Sequence, residues 1–218
     1  MTDNNQYYQW ILQDFDLKDE DVLSVYRHGS MIYGTNDHQS DNDFIIIVKD
    51  HAVECDSKNS SYHNIDVGIY RQSTFQDLIN RHKNFALDCY FLPQEFRLKD
   101  NAKFTFKLDL NNLRKEISAK SSNSFVKCKK KLEVVADRNV KIAKKSLFHS
   151  MRIIDFGIQI ATHGKIVDYS SSNHLWFEIR DNPADTWEPY KEKYQTVYNS
   201  KMTAFRKLAP INEKNNKT

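Results

Sequence analysis

The amino-acid sequence predicts an α+β protein, with a small mixed β-sheet core in its first half and a C-terminal helical bundle. Short apolar runs bounded by polar turns, such as DFIIIVKD, are confined to the first hundred residues. From about 108 to 208 the apolar residues recur at helical spacing instead. We therefore place a sheet core at 1–105, a helical domain at 106–210 and a disordered tail without apolar anchors at 211–218.

Composition and charge limit the class of protein. The 218 residues, 28% charged and 12% aromatic, are typical of a globular chain with a sizeable core. The net charge of +3 permits an anionic partner without requiring one. The longest apolar run, at 44–48, is far too short to span a membrane, and the polar start MTDNNQYYQW lacks a secretory-signal pattern. Three widely spaced cysteines indicate neither a disulfide framework nor a zinc site, so we expect a cytoplasmic protein without a membrane partner.

Each element of the first half follows from its local pattern. QYYQWILQDF has helical spacing, and VLSVYRH is a short strand that ends at Gly29. DFIIIVKD suits a strand covered on both faces, and residues 64–69 alternate between polar or small and apolar side chains, as a partner strand would. The polar segment 50–63 is predicted to be a loop that joins these two strands as an antiparallel pair. STFQDLINRH is predicted to be a helix with a capping box formed by Ser73 and Gln76.

Two aspartates, Asp41 and Asp43, stand at the start of the apolar strand. On a strand, side chains two residues apart point to the same face, and two close carboxylates repel unless a cation joins them. Antiparallel pairing would bring Asp66, on the partner strand, to the same place. Three such carboxylates predict a site for one or two magnesium ions, of the kind that clamps the oxygens in phosphoryl displacement. Taken singly, each aspartate is better explained without a metal, Asp41 as a cap and Asp43 as a strand-end charge.

A glycine and a serine precede these aspartates. Gly29 and Ser30 follow a strand and open the segment SMIYGT, which suits the first turn of a helix. Such a junction offers backbone N–H groups to a phosphate, glycine permits close approach, and the serine hydroxyl adds a donor. The Gly-Ser dipeptide alone does not predict a phosphate site. Its combination with Asp-x-Asp and a later Asp is a fairly specific indication of a phosphate site.

The segment HGSMIYGTNDHQSDNDFIII, followed by NIDVGIY, resembles the signature of the DNA polymerase β-like nucleotidyltransferase superfamily. That signature, at 27–70 here, is Gly-Ser, then Asp-x-Asp, then a third Asp on a later strand. With FALDCYFLP and SLFHSMRIIDFG, the chain is most similar to the RNA-repair-associated (RlaP-like) branch. The resemblance covers 22–93 well and 125–164 loosely. Asn42 departs from it, where many relatives carry an apolar or aromatic residue, and so does Asp88, where a glutamate is expected.

The resemblance implies a reaction and a role for each signature residue. The protein would be a metal-dependent transferase that moves an NMP from ATP or another NTP to an acceptor hydroxyl, releasing pyrophosphate. Asp41 and Asp43 would bridge two Mg²⁺ ions, for which Mn²⁺ is an alternative. Asp66 would bind the catalytic ion and help deprotonate the acceptor. Ser30 and the backbone around Gly29 would hold the outer phosphates, and the helical domain would close the nucleotide cleft.

A basic stripe is predicted along one helix of the second half. Arg138, Lys141, Lys145, His149 and Arg152 are spaced by 3, 4, 4 and 3 residues and fall within an arc of about 80°. For Arg138 and Lys141 a solvated face is the preferred explanation. Apolar neighbours predict that His149 and Arg152 are partly buried and need partners, so we assign them, with Lys145, to nucleotide binding.

The acceptor is predicted from charge and from the branch resemblance. The KCKKK cluster at 127–131 is compatible with contact with single-stranded RNA, but a solvated charge run is the preferred explanation. The basic stripe and the branch favour an RNA or tRNA end, as in RNA repair. Two other hypotheses stay open: a protein-AMPylating enzyme of the antitoxin type, and a catalytically silent nucleotide-binding module. The intact set of aspartates argues against the silent module.

Overall fold

The structure is a computed structural model that describes residues 4–62 and 64–211. These residues belong to two units, Met1–Lys107 and Leu108–Thr218. The first unit contains a β-sheet with its helices and the second is helical, which confirms the predicted α+β class. The tail predicted to be disordered at 211–218 lies outside the described residues, except for Ile211.

The strands and helices of the first unit alternate irregularly along the chain. Its described strands are β1 (Val22–His28), β2 (Asn42–Val48), β3 (Ser57–Tyr62), β4 (Ile65–Arg71) and β5 (Arg97–Asp100). Its described α-helices are α1 (Asn4–Asp14), α2 (Ser30–Tyr33), α3 (Gln72–Asn80) and α4 (Asn84–Tyr90). The predicted helix at the start, the short strand before Gly29 and the apolar strand are all present.

The sheet has the strand order β3-β4-β2-β1-β5 and is mixed. β1 pairs antiparallel with β2 and β5, β3 pairs antiparallel with β4, and β2 pairs with β4 in parallel. The predicted antiparallel pairing of β2 with β4 is therefore wrong, and so is the loop at 50–63. The segment contains β3, which reverses the chain once more before β4. This strand, SKNSSY, is polar and mostly exposed at the sheet edge, so it has no apolar alternation to reveal it.

The core of the first unit explains the apolar run of β2. Every residue of β2 except Asp43 is buried, as predicted for a strand covered on both faces. On one face Phe44 and Ile46 belong to a cluster with Ile11 of α1 and the apolar residues of β4. On the opposite face, Tyr70 of β4 packs its ring against Phe75 of α3, with ring centroids 5.7 Å apart.

Helix α3 is present as predicted, but its start is stabilised differently. The side chain of its N-cap residue, Arg71, makes no capping hydrogen bond. Instead the backbone N–H of Ser73 donates to Asp50 Oδ1 at 3.0 Å, and this bond lowers the pKa of the Asp50 carboxyl. Gln76 hydrogen-bonds Asn80 and the backbone at Thr105. A carboxylate is a stronger acceptor than a hydroxyl at a helix N-terminus, so the predicted capping box does not form.

The second unit consists of four described α-helices: α5 (Leu110–Glu133), α6 (Val140–His163), α7 (Asn173–Asp181) and α8 (Trp187–Leu208). Asp109 caps α5, and Asn139 caps α6 by accepting from the Ile142 N–H. At Gly157 of α6 an added Cβ would lie 2.9 Å from Ile117 of α5 and 3.0 Å from Phe205 of α8. Glycine therefore lets three helices meet closely at this point. Within the described ranges, no helix has the length and apolarity to cross a membrane.

Candidate active site

Two carboxylates lie side by side at the N-terminal ends of β2 and β4. Asp43 is the second residue of β2, Asp66 is the second residue of β4, and the two are register partners in the parallel pair. Register partners present their side chains to the same face, and neighbouring strands are about 4.8 Å apart. Both aspartates are half-buried. The structure thus brings together two of the three predicted carboxylates.

Asp41 is placed differently. It lies one residue before β2 and is exposed, so the strand does not fix its side chain. Among residues 4–62 and 64–211, no group of three or more His, Cys, Asp or Glu side chains is arranged to hold a metal ion. The assignment of Asp41 as a metal ligand stays a prediction.

The Asp43–Asp66 pair has the donor chemistry that magnesium requires. Carboxylate oxygens are the hard ligands that Mg²⁺ and Mn²⁺ prefer. Magnesium at sites of phosphate chemistry is usually bound by one or two carboxylates together with the phosphates of the substrate. A pair of adjacent aspartates is therefore sufficient as the protein's part of such a site.

The predicted phosphate turn packs directly against this pair. Gly29 follows β1 and occupies the N-cap position of α2, with φ 66° and ψ −148°, and Ser30 is the first residue of α2. A Cβ on Gly29 would overlap the Asp43 carboxylate, lying 2.7 Å from its Cγ. Only glycine satisfies both the positive φ and this close approach. Gly29 and Asp43 are thus in close contact, with Ser30 next to Gly29 in the chain.

Two further polar residues stand beside the two aspartates on the neighbouring strands. His28 of β1 is the register partner of Asp43, and Ser61 of β3 is the register partner of Asp66. Neither residue was predicted from the sequence as part of the site. His28 has no metal-ligand spacing to other histidines, although its place directly before Gly29 is a signal that could have been used. Ser61 lies on the strand that was predicted to be a loop.

The other predicted nucleotide contacts lie in the second unit. Lys145 is exposed on α6, His149 is half-buried and Arg152 is buried. The Arg152 Nη2 lies 2.7 Å from His149 Nδ1, and its guanidinium stands 5.3 Å from the centre of the Phe148 ring. The role of these three residues in nucleotide binding stays a prediction.

The basic stripe is shorter than predicted. Helix α6 begins at Val140, so Arg138 lies outside it. Its Nη2 instead donates to Asp185 Oδ2 at 2.6 Å.

The KCKKK cluster carries less unbalanced charge than the sequence indicated. Lys130 and Lys131 both pair with Asp137, and Lys129 pairs with Glu133 at 3.7 Å. The hydrogen bond from Lys131 is the main cause that lowers the pKa of Asp137. Three of the four lysines in the cluster therefore have a carboxylate neighbour.

Comparisons with known proteins give distant structural likenesses. No family model and no curated protein matches the chain. Among solved structures it is similar to spectinomycin adenyltransferase AAD(9) from Enterococcus faecialis, crystallised with ATP and spectinomycin. The identity is 14%, the match covers 93% of this chain and 98% of that chain, and the TM-score is 0.49. It is also similar to a nucleotidyltransferase-like protein from Exiguobacterium sibiricum 255-15, at 12% identity, 94% and 73% coverage and a TM-score of 0.29. These values assign no activity, so we base the proposed function on this chain's own residues.

Proposed function

We propose that this protein is a metal-dependent nucleotidyltransferase that moves an NMP from an NTP to an acceptor hydroxyl. The observation that carries the proposal is the placement of Asp43 and Asp66 as partners on parallel strands, with the Gly29 turn against Asp43. These residues are also the ones that match the superfamily signature in the sequence. A strand-end charge or a cap explains one aspartate, whereas a pair of carboxylates beside a glycine turn favours a shared cation.

The chemistry assigns a task to each residue of the turn and the pair. The acceptor oxygen attacks the α-phosphorus, the bond from the α-phosphorus to the bridging oxygen breaks, and pyrophosphate leaves with the electron pair. Asp66 accepts the proton of the acceptor hydroxyl. The Ser30 hydroxyl and the backbone at Gly29 hold the outer phosphates.

Magnesium is the cofactor that this donor set fits. Asp43 and Asp66 would hold it, with Asp41 as the further ligand that the sequence motif implies and Mn²⁺ as an alternative ion. When bound, the metal would stabilise negative charge on the phosphate oxygens and on the leaving pyrophosphate. A two-ion arrangement would do so at both the attacking oxygen and the leaving oxygen.

For the acceptor we propose an RNA or tRNA end. Support comes from FALDCYFLP and SLFHSMRIIDFG, which resemble the RNA-repair-associated branch. The lysines that would follow an RNA backbone include Lys127, Lys130 and Lys131. Because Lys130 and Lys131 pair with Asp137, we expect their contribution to RNA binding to be moderate.

The test is incubation of the protein with each α-labelled NTP and Mg²⁺, with and without a mixed RNA pool. Asp43→Asn is the inactive control, and Glu192→Gln, an exposed carboxylate of α8, is the control for charge removal. Label on RNA supports the full proposal, and label on a protein band supports the AMPylating alternative. Nucleotide binding without transfer to either material would favour the silent module. If no NTP binds in the presence of Mg²⁺, the proposed function is wrong.

A further inference from the structure

A buried polar cluster lies behind the Gly29–Ser30 turn, and the reaction assigned above does not use it. Its members are His28 at the end of β1, Tyr33 at the end of α2, and Asn84 and Asp88 of α4. Asp88 is 1% exposed, Tyr33 3% and Asn84 7%. Burial of a carboxylate costs free energy of folding unless polar groups surround it, so we asked what Asp88 contacts.

One oxygen of Asp88 connects both sides of the turn. The Tyr33 hydroxyl donates to Asp88 Oδ2 at 2.8 Å, and Asn84 Nδ2 donates to the same atom at 3.2 Å. His28 Nε2 lies 3.9 Å from that oxygen. His28 directly precedes Gly29, and Tyr33 is the last residue of α2. The carboxylate of α4 therefore contacts the residues that flank the Gly29–Ser30 turn.

The turn needs such an anchor because its own structure is minimal. Helix α2 has four residues, and a single helical turn is not stable by itself. Its hydrogen bonds include that from the Thr35 N–H to the Ser30 carbonyl at 3.1 Å. The backbone at Gly29 is held in a conformation that few residues adopt, and it must stay against Asp43. Contacts from a neighbouring helix are the means by which such a conformation is maintained.

We propose that Asp88 is a positioning residue for the nucleotidyl transfer. It accepts the Tyr33 hydrogen bond and lies beside His28, and it thereby keeps the Gly29–Ser30 turn preformed against Asp43 before the triphosphate arrives. Asp88 acts on the turn and not on the nucleotide. The inference rests on the proposed function for its purpose, while the anchoring of the turn is measurable without any activity.

The experiment compares Tyr33→Phe and Asp88→Asn with a matched control. Tyr194→Phe also removes a tyrosine hydroxyl that donates to a carboxylate, Glu178 Oε2 at 3.3 Å, but in the second unit. Hydrogen–deuterium exchange is measured for the amides of 30–35 and, as an internal reference, for those of 44–48. Mg²⁺–ATP affinity is then titrated for each variant, and kcat and KM are measured where transfer is detected.

We expect Tyr33→Phe to speed exchange at 30–35 by about 10- to 100-fold, as loss of a hydrogen bond to a charged group implies, with 44–48 unchanged. ATP affinity should fall by a similar factor and KM should rise more than kcat falls. Asp88→Asn should do the same, and Tyr194→Phe should change none of these. If Asp88→Asn does not fold, Tyr33→Phe decides the question alone.

Two outcomes for Tyr33→Phe or folded Asp88→Asn would overturn the inference. One is unchanged hydrogen–deuterium exchange at 30–35, and the other is faster exchange with unchanged ATP affinity. A wild-type protein that binds no triphosphate is a different result. It would overturn the proposed function, while the exchange data would still report whether Asp88 anchors the turn.

Discussion

Replacement of Gly29 by alanine is the most direct test of the candidate site. Gly29 has φ 66° and ψ −148°, a region of backbone conformation that is essentially restricted to glycine. The added Cβ would lie 2.7 Å from Asp43 Cγ and 3.1 Å from its Cβ, closer than ordinary van der Waals contact. The variant therefore has to accept backbone strain and to displace the Asp43 carboxylate as well.

The two effects have separate magnitudes. Backbone strain of this kind costs about 1–3 kcal/mol, which lowers the melting temperature by about 2–4 °C for each kcal/mol in a chain of this size. Displacement of a catalytic group by on the order of 1 Å can reduce turnover about 10²-fold. We expect Gly29→Ala to lower both the melting temperature and the rate of NMP transfer.

Gly164 provides the matched control. It has φ 72° at the C-cap of α6, and an added Cβ there would meet nothing within 4 Å. Gly164→Ala should therefore cost about 1–2 kcal/mol from the left-handed backbone conformation alone, without a change in transfer.

The variants to compare are Gly29→Ala, Gly164→Ala, Asp43→Ala and the double variant Gly29→Ala/Asp43→Ala. For each one we would measure thermal unfolding, circular dichroism and the transfer of labelled NMP. If the overlap with the carboxylate is real, Asp43→Ala removes part of the destabilisation caused by Gly29→Ala, and the double-mutant cycle shows coupling. A folded Gly29→Ala variant with wild-type transfer would show that the turn and Asp43 lie outside the reaction centre.

Four other variants test the remaining parts of the proposal. Asp43→Asn should abolish transfer, and wild-type turnover of this variant in Mg²⁺ would contradict the assignment. Because the substitution removes a repulsion of about 1 kcal/mol between residue 43 and Asp66, the metal-free melting temperature should stay unchanged or rise by about 2–4 °C. Ser30→Ala should weaken triphosphate binding by about 1.5–3 kcal/mol, measured by calorimetry, and an unchanged affinity would place its hydroxyl elsewhere. Replacement of Lys130 and Lys131 by alanine should reduce the slope of log RNA affinity against log salt by about 0.7 for each RNA phosphate that these lysines neutralise in the wild type. Asp137→Asn should strengthen RNA binding, because it removes the carboxylate that pairs with Lys130 and Lys131. An RNA affinity of the wild-type protein that does not change with salt would refute an RNA acceptor.

The sequence predicted those features of the fold that depend on local apolar patterns. The continuous run in β2 indicated a strand buried on both faces, and every residue but Asp43 is buried. Helical spacing after residue 108 indicated a helical second half, and the described second unit contains four α-helices. Both patterns reflect burial, which determines where apolar residues occur in the sequence.

The features that the sequence did not predict depend on contacts between distant residues. The start of α3 is stabilised by Asp50, which is 23 residues before Ser73, so no local capping pattern could identify it. Asp88 was visible only as a departure from the family pattern, and its contacts with Tyr33 and His28 appear once α4 is packed against β1. Long-range hydrogen bonds leave no periodicity from which to predict them.

The polar edge strand β3 matters to the site because it determines the direction of β4. Asp43 and Asp66 each occupy the second position of a seven-residue strand. In a fully overlapping antiparallel pair the residue opposite Asp43 would be Tyr70, and Asp66 would lie about 13 Å further along the sheet at the usual rise per residue. The hairpin of β3 and β4 reverses the chain before β4, so that β4 runs parallel to β2 and Asp66 becomes the register partner of Asp43. A strand that contributes little to the core is thus the reason that the two carboxylates share one end of the sheet.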